Sequence, residues 1–516
     1  MMSMSREKKS LINILISLMS QICTVLVGML LPRALMINYG SETNGLITSL
    51  QQLIGYLTLI EGGLLSAVTV SLYKPLADED QKRVNEILSS AKYFYRRVGC
   101  VFCGALLITA IIYPHTISQT QYTYVEIVAM VLLIGINGAT QILFIGKYKA
   151  LLMASQMNGL ILAINAISTA LYTGILIVAS YININVVAGL TIAVGAYVLR
   201  AVVFFVVARR LFPQYTFKSA ESLIIFPQRK DALLSQAFSM ISLHGGVIVL
   251  TLFKAPMELM SVYTTYNLIL SSLYMLMYSV ENSVTAALGN LLVKESPEII
   301  RCEYEKFDAL YHLAWSVVIG CLATLLLPFV SVYTAGVKDI EYILPVESRL
   351  FVVICALWML RNQQTLLMTA RGNFKEMRKA IVIESMIVVV GGASFYWMWD
   401  LKGMLMAKVF ATTYMVITLM HFSYKNILQV SVRTKMKRIL LSAVSVASTA
   451  AISNRFFWVF EKNSLISWMI QATIVGIIGC LVTTAIWLVS EKPELEESMK
   501  VIRVLVKKRQ RGCDEN

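Results

Sequence analysis

Among the ionisable residues inside long apolar runs are Glu61, Arg200, His244, Glu281 and Arg361. A charge placed there costs about 2.5–3.5 kcal/mol by insertion scales, so each is a functional candidate by position alone. Arg200 and Arg361 carry planar, permanently charged guanidiniums that suit two-point recognition of an anion. Arg33 and Lys254 close apolar runs and fit an outer mouth. The competing reading is structural: Arg200 paired with Glu61, and Arg33 and Lys254 snorkelling to headgroups. Glu61 precedes Gly62-Gly63, which permits a bend or a close helix contact, and fits either a proton-coupling site or a structural acid. His244 precedes Gly245-Gly246 and fits either a group titrating near neutrality or a hydrogen-bonded packing residue. Glu281 fits a gate toward the inner end of its run. Asn137 and Asn362 offer amides to a ligand or to a neighbouring helix.

The elements that must position these residues follow from the composition. Of 516 residues 57% are hydrophobic and 15% charged, against about a quarter charged in soluble domains. Mean hydropathy is +0.69. The apolar residues lie in unbroken runs rather than the alternation of a membrane barrel, so the chain reads as an all-α integral membrane protein. Fourteen spans are expected, at 11–37, 44–72, 98–114, 125–146, 158–180, 186–208, 233–254, 260–290, 311–333, 350–370, 380–399, 403–422, 439–459 and 468–489. Each can cross a hydrocarbon core of about 30 Å at 1.5 Å per residue. On that count Arg361 lies roughly 16 Å and Arg200 roughly 21 Å into their spans, both near the midplane.

The net charge of +15 belongs to the loops rather than to a nucleic-acid partner. With the N-terminal side inside, 35 Lys and Arg fall in inner segments and 7 in outer ones, placing both termini in the cytoplasm. Two basic amphipathic stretches, Asp80–Arg97 and the tail around Leu495–Lys508, are expected to rest on the inner headgroups. Cys100 and Cys103 have CxxC spacing but no second pair or nearby His, so no metal or redox role is assigned.

The chain also repeats itself. EGGLLSAVTVSLYK from Glu61 matches ENSVTAALGNLLVK from Glu281, and LLMASQMN at 151–158 matches LLMTARGN at 366–373. Near-equal offsets are what a duplicated half leaves, and six helices per half make the repeat parallel. The expected organisation is an N-lobe at 1–208, a cytoplasmic linker at 209–232, a C-lobe at 233–422, two further helices within 423–489, and a cytoplasmic tail at 490–516.

With LPRALMINYGSETNGLITSLQQ at 31–52, the EGGL of the second span, LYKPLADED after it and LLMTARGNFK at 366–375, the chain resembles the multidrug/oligosaccharidyl-lipid/polysaccharide exporter superfamily. Within it the polysaccharide transporter branch is the nearest likeness. That resemblance implies two pseudo-symmetric six-helix lobes plus two C-terminal helices, V-shaped around a central cavity in a bacterial cytoplasmic membrane. It implies a flippase for an undecaprenyl-pyrophosphate-linked oligosaccharide, with a polysaccharide polymerase and glycosyltransferases as pathway partners and membrane lipids around it. The diphosphate would meet Arg361, Arg200, Arg33 and Lys254, and the sugars Asn362 and Asn137. No cofactor is implied, though coupling to a proton or sodium gradient through Glu61, His244 or Glu281 fits. The alternatives are a cation-coupled multidrug exporter of the same superfamily and a membrane enzyme of glycan assembly. The chain has no HExxH, P-loop or GxSxG.

Overall fold

The computed structural model describes residues 6–118, 120–215, 229–294, 296–429, 432–456 and 464–491. Every regular element among them is helical, one of the two ways a chain in lipid satisfies its backbone groups internally. Ten of the helices are long and apolar enough to cross a membrane, or up to eleven if one bent pair is a single span. Among the described residues that measure does not confirm the number fourteen. One continuous stretch, Lys375–Leu428, counts once, yet Trp399 (φ −141°) and Asp400 (φ 50°) break it where two spans were expected. Gly403 allows the tight fold there, since a Cβ would sit 2.0 Å from the Phe395 carbonyl oxygen.

The chain divides into two compact units. The first comprises residues 1–276 and 336–340, the second residues 277–335 and 341–516. The first contains α1 (Arg6–Tyr39), α2 (Ser41–Ala77), α3 (Gln81–Thr116), α4 (Tyr124–Thr140), α5 (Gly146–Ala154), α6 (Asn158–Tyr181), α7 (Val186–Leu211), α8 (Arg229–Leu252) and the start of α9 (Met257–Lys294). Here α1 packs on α6, α2 on α3 and α8, and α4 on α3 and α7. The shared core includes Leu46, Leu50, Val68, Phe102, Val131 and Phe204. Gly45 makes the closest helix contact: a Cβ would lie 1.8 Å from the Met257 carbonyl oxygen, and next to it Asn44 Nδ2 donates to Ser261 Oγ at 2.7 Å.

Residues 336–340 run between two helices of the second unit but belong to the first. Their Asp339 accepts from the Ser41 backbone N–H at 2.6 Å and from the Ser41 hydroxyl at 2.7 Å. Gly40 (φ +90°) supplies no cap of its own, so an aspartate distant in sequence caps α2 and places negative charge at its N-terminus.

The second unit holds α10 (Pro297–Tyr333), α11 (Pro345–Arg371), α12 (Phe374–Met386), α13 (Gly392–Phe422), α14 (Val432–Phe456) and α15 (Leu465–Ser490). In it α10 packs on α14 and α15, and α11 on α13. The helix order repeats along the chain. Ser41 and Met257, Gln81 and Pro297, and Asn158 and Phe374 are equivalent helix starts, each pair 216 residues apart.

One sequence expectation needs correction. Asp80–Arg97 does not form a separate helix on the headgroups. It is the first half of the continuous 36-residue α3, capped by Asp80 accepting from the Arg83 N–H at 2.9 Å. Its apolar side (Val84, Ile87, Leu88, Ala91) is buried in the core of the first unit. The linker at 216–228 and the tail beyond 491 lie outside the described residues.

Candidate functional site

The first unit encloses a cavity of about 550 Å³, inside the roughly 300–1,000 Å³ range of small-molecule sites. Helix α1 contributes Gly28, Leu31, Pro32 and Leu35, the i, i+3, i+4, i+7 face that a helix presents to one side. The polar lining is neutral: the amides Asn44, Gln51, Gln52, Asn137, Gln141 and Asn267, the hydroxyls of Thr48, Thr58, Thr169, Thr173, Thr264 and Ser271, and Tyr56, Tyr172 and Tyr197. His244 lines it too, and Gly246 next to it makes room for Tyr263, whose hydroxyl would be 2.4 Å from a Cβ there. Among the described lining residues none is Asp, Glu, Lys or Arg. Tyr172 and Tyr197 stack with ring centroids 4.6 Å apart.

The charges stand behind this wall. Arg200 is buried on α7. Its guanidinium donates to Asn137 Oδ1 at 2.8 Å and lies 5.1 Å from the Tyr197 ring centroid. Glu61 is 2% exposed and accepts from Gln141 Nε2 at 2.6 Å. Arg200 and Glu61 are within electrostatic reach of one another, yet each bonds an amide of the α4 segment instead of the other. The predicted Arg200–Glu61 pairing is thus an indirect one, bridged by Asn137 and Gln141 at i, i+4.

Both helices that carry the acid and its amide depart from regular geometry at this point. Helix α2 bends by 46° between Ser41–Leu59 and Gly63–Ala77, with Glu61 at the break. Helix α4 passes into a π-turn, Gln141–Ile145, that begins at Gln141 itself. An inserted π residue re-aims the side chains that follow, and such turns concentrate at functional sites.

The second unit treats its charges differently. On α11, Arg361 Nη2 lies 3.1 Å from Glu384 Oε2 of α12. Lys408 is also buried, with its Nζ 5.1 Å from the Trp358 ring centroid and Glu384 and Arg361 in electrostatic reach. A larger network joins α10, α11, α14 and α15. Lys435 Nζ donates to Asp308 and to Gln363, and contacts His312 Nε2 at 2.6 Å. Arg438 reaches Asp308 at 2.8 Å and Glu491 at 3.0 Å. Gln363 also donates to Asp308. Gln363 and Gln364, which follow Asn362 on α11, are buried within the second unit, and Asp308 and Lys435 supply the partners that the Gln363 amide needs.

The sequence-predicted residues are therefore dispersed. Asn137 and His244 line the cavity, and Glu61 and Arg200 back its wall. Arg33 is half-buried on α1 beside the lining residue Pro32. Lys254 is exposed in the turn after α8, in the left-handed region (φ 48°). Arg361 and the half-buried Asn362 sit on α11 in the second unit. The Glu281 side chain lies outside the described residues.

Sequence reasoning passed over Gln51, Gln52 and Gln141, although amides inside apolar spans were a readable signal. It also counted Lys435 and Arg438 only as two of the 35 basic residues of the inner segments. The clue to their burial was the i, i+4, i+8 row Tyr304, Asp308, His312 on one face of α10.

No protein-family model matches the chain, and no curated protein matches it in sequence. Solved structures do match. The lipid II flippase MurJ in its inward closed conformation aligns at 13% identity with a TM-score of 0.68, covering 93% of this chain and 99% of that one. An inward-facing multidrug resistance MATE family transporter of the MOP superfamily aligns at 13% identity and TM-score 0.57, covering 84% and 98%. A MOP superfamily transporter from Pyrococcus furiosus aligns at 15% identity and TM-score 0.53, covering 81% and 96%. At these identities what is shared is the fold: this multi-pass membrane protein has the helical fold of those transporters.

Proposed function

We propose that the chain is a flippase that carries a lipid-linked oligosaccharide, joined through pyrophosphate to a polyprenyl chain, from the cytoplasmic to the outer leaflet of a bacterial cell membrane by alternating access. The observation that carries this reading is the lining of the cavity: amides, hydroxyls and a stacked tyrosine pair, without a charged side chain among the described lining residues. Amides and hydroxyls match the donors and acceptors of sugars. The fold shared with a lipid II flippase over nearly the whole of both chains supports it. Gradient coupling is assigned to Glu61, the buried carboxylate at the bend of α2.

The likeness to multidrug transporters supports a second reading, a cation-coupled multidrug exporter, which would also take cationic drugs. A wall without carboxylates among its described residues offers such a cation little electrostatic attraction, so the sugar reading is preferred. The test is to remove the protein from its native cell and follow the lipid-linked intermediate. Accumulation of that intermediate on the cytoplasmic side, with loss of surface polymer, is expected. Unchanged polymer together with new sensitivity to cationic drugs would sink the flippase reading in favour of the exporter.

A further inference from the structure

The amide pair Asn137 and Gln141 has a fixed polarity. A guanidinium only donates hydrogen bonds, so the atom of Asn137 that meets Arg200 is its oxygen, at 2.8 Å. The two N–H groups of Asn137 then point elsewhere. A carboxylate accepts, so the atom of Gln141 that meets Glu61 is its nitrogen, at 2.6 Å. Its carbonyl oxygen then points elsewhere. Both residues are partly exposed and both line the cavity. Opposite charges behind the wall thus present a donor at Asn137 and an acceptor one helical turn later at Gln141, and while Glu61 is ionised neither is free to flip.

We infer that this pair reads an acetamido group on the sugar, with Arg200 and Glu61 as positioning residues that lock the two amides from behind. A sugar hydroxyl rotates and serves as donor or acceptor equally well, so it gains nothing from a wall of fixed polarity. A secondary amide differs: its C=O and N–H are fixed and point in opposite directions. It is also neutral, as the lining is. One acetamido group can therefore accept from Asn137 and donate to Gln141, and the arrangement selects N-acetylated sugars over their parent hexoses. This inference rests on the proposal that the cavity takes the sugars of the cargo.

The test uses the full-length protein in lipid nanodiscs, with methyl N-acetyl-β-glucosaminide, methyl β-glucoside and tetraphenylphosphonium as probes in titrations read by ligand-observed NMR. The acetamido sugar should bind about tenfold more tightly than the glucoside, the worth of one or two net hydrogen bonds. Asn137→Asp keeps the shape and the Arg200 contact but replaces the donors with an acceptor, and should abolish the preference, so that the two glycosides bind equally. Arg200→Gln lets Asn137 flip and should erase most of the preference; Arg200→Lys still only donates and should restore it. That rescue separates positioning from a merely structural role. Equal binding of the two glycosides by the unaltered protein, or an undiminished preference in Asn137→Asp, would overturn the pair while leaving the sugar cavity standing. Binding of tetraphenylphosphonium with neither glycoside bound would overturn the cavity assignment itself.

Discussion

The wall behind the cavity and the cluster around Asp308 are built from the same side chains and do opposite things. In the first unit Arg200 and Glu61 each bond a neutral amide, and those amides border open space. In the second, Asp308, Lys435, Arg438 and Glu491 bond one another and are all 4% exposed or less. A buried charge in a membrane protein therefore says little until its partner is known. Charge against charge closes a set of helices, because removing either member strands the other in low dielectric. Charge against amide instead passes its polarity outward to whatever the amide can touch.

The comparison breaks most severely at Asp308. Asp308→Ala leaves Lys435 and Arg438 buried beside a missing carboxylate, and a loss of about 3–5 kcal/mol is expected, read as a collapse of thermal stability in detergent. If Asp308→Asn instead kept full stability and lost transport, the cluster would be a working site. Next comes Gly45→Ala. The new Cβ meets the backbone of Met257, which cannot swing aside as a side chain would, so a loss of about 1–3 kcal/mol is expected in the same melting assay.

Arg361→Ala should cost less than Asp308→Ala, about 1–3 kcal/mol, because Lys408 remains to answer Glu384. Reduced abundance with proportionate transport would make Arg361 a scaffold residue, whereas normal abundance with transport abolished would restore it as an anion site. The smallest effect is expected at Glu86→Ala, which removes the i, i+3 partner of the half-exposed Arg83. Stability should move by no more than about 1 kcal/mol, and a larger shift would mean that the first half of α3 is held by charge rather than by Val84, Ile87 and Leu88.

The helical membrane fold was legible because long apolar runs admit little else. Neighbours across space were not. The row Arg361, Asn362, Gln363, Gln364 announces a polar face, but a cavity and a buried network demand the same residue types. Only the positions of Asp308 and Lys435, 55 residues before Gln363 and 72 after it, decide between them. Asp80–Arg97 misled for a related reason: a helix half in contact with protein and half with water has the same amphipathic period as one floating on headgroups.

The cap on α2 makes one end of that helix a remote readout. Its first amides owe their protection to Asp339, which is 298 residues away along the chain, and not to Gly40 before them. Deuterium uptake at Ser41 therefore measures how often the 336–340 segment lets go, with no label attached. Substituting Asp339 by Ala would raise exchange at the start of α2 while leaving its buried middle slow. A transport cycle that lifts the segment would appear as a turnover-dependent exchange rate at Ser41.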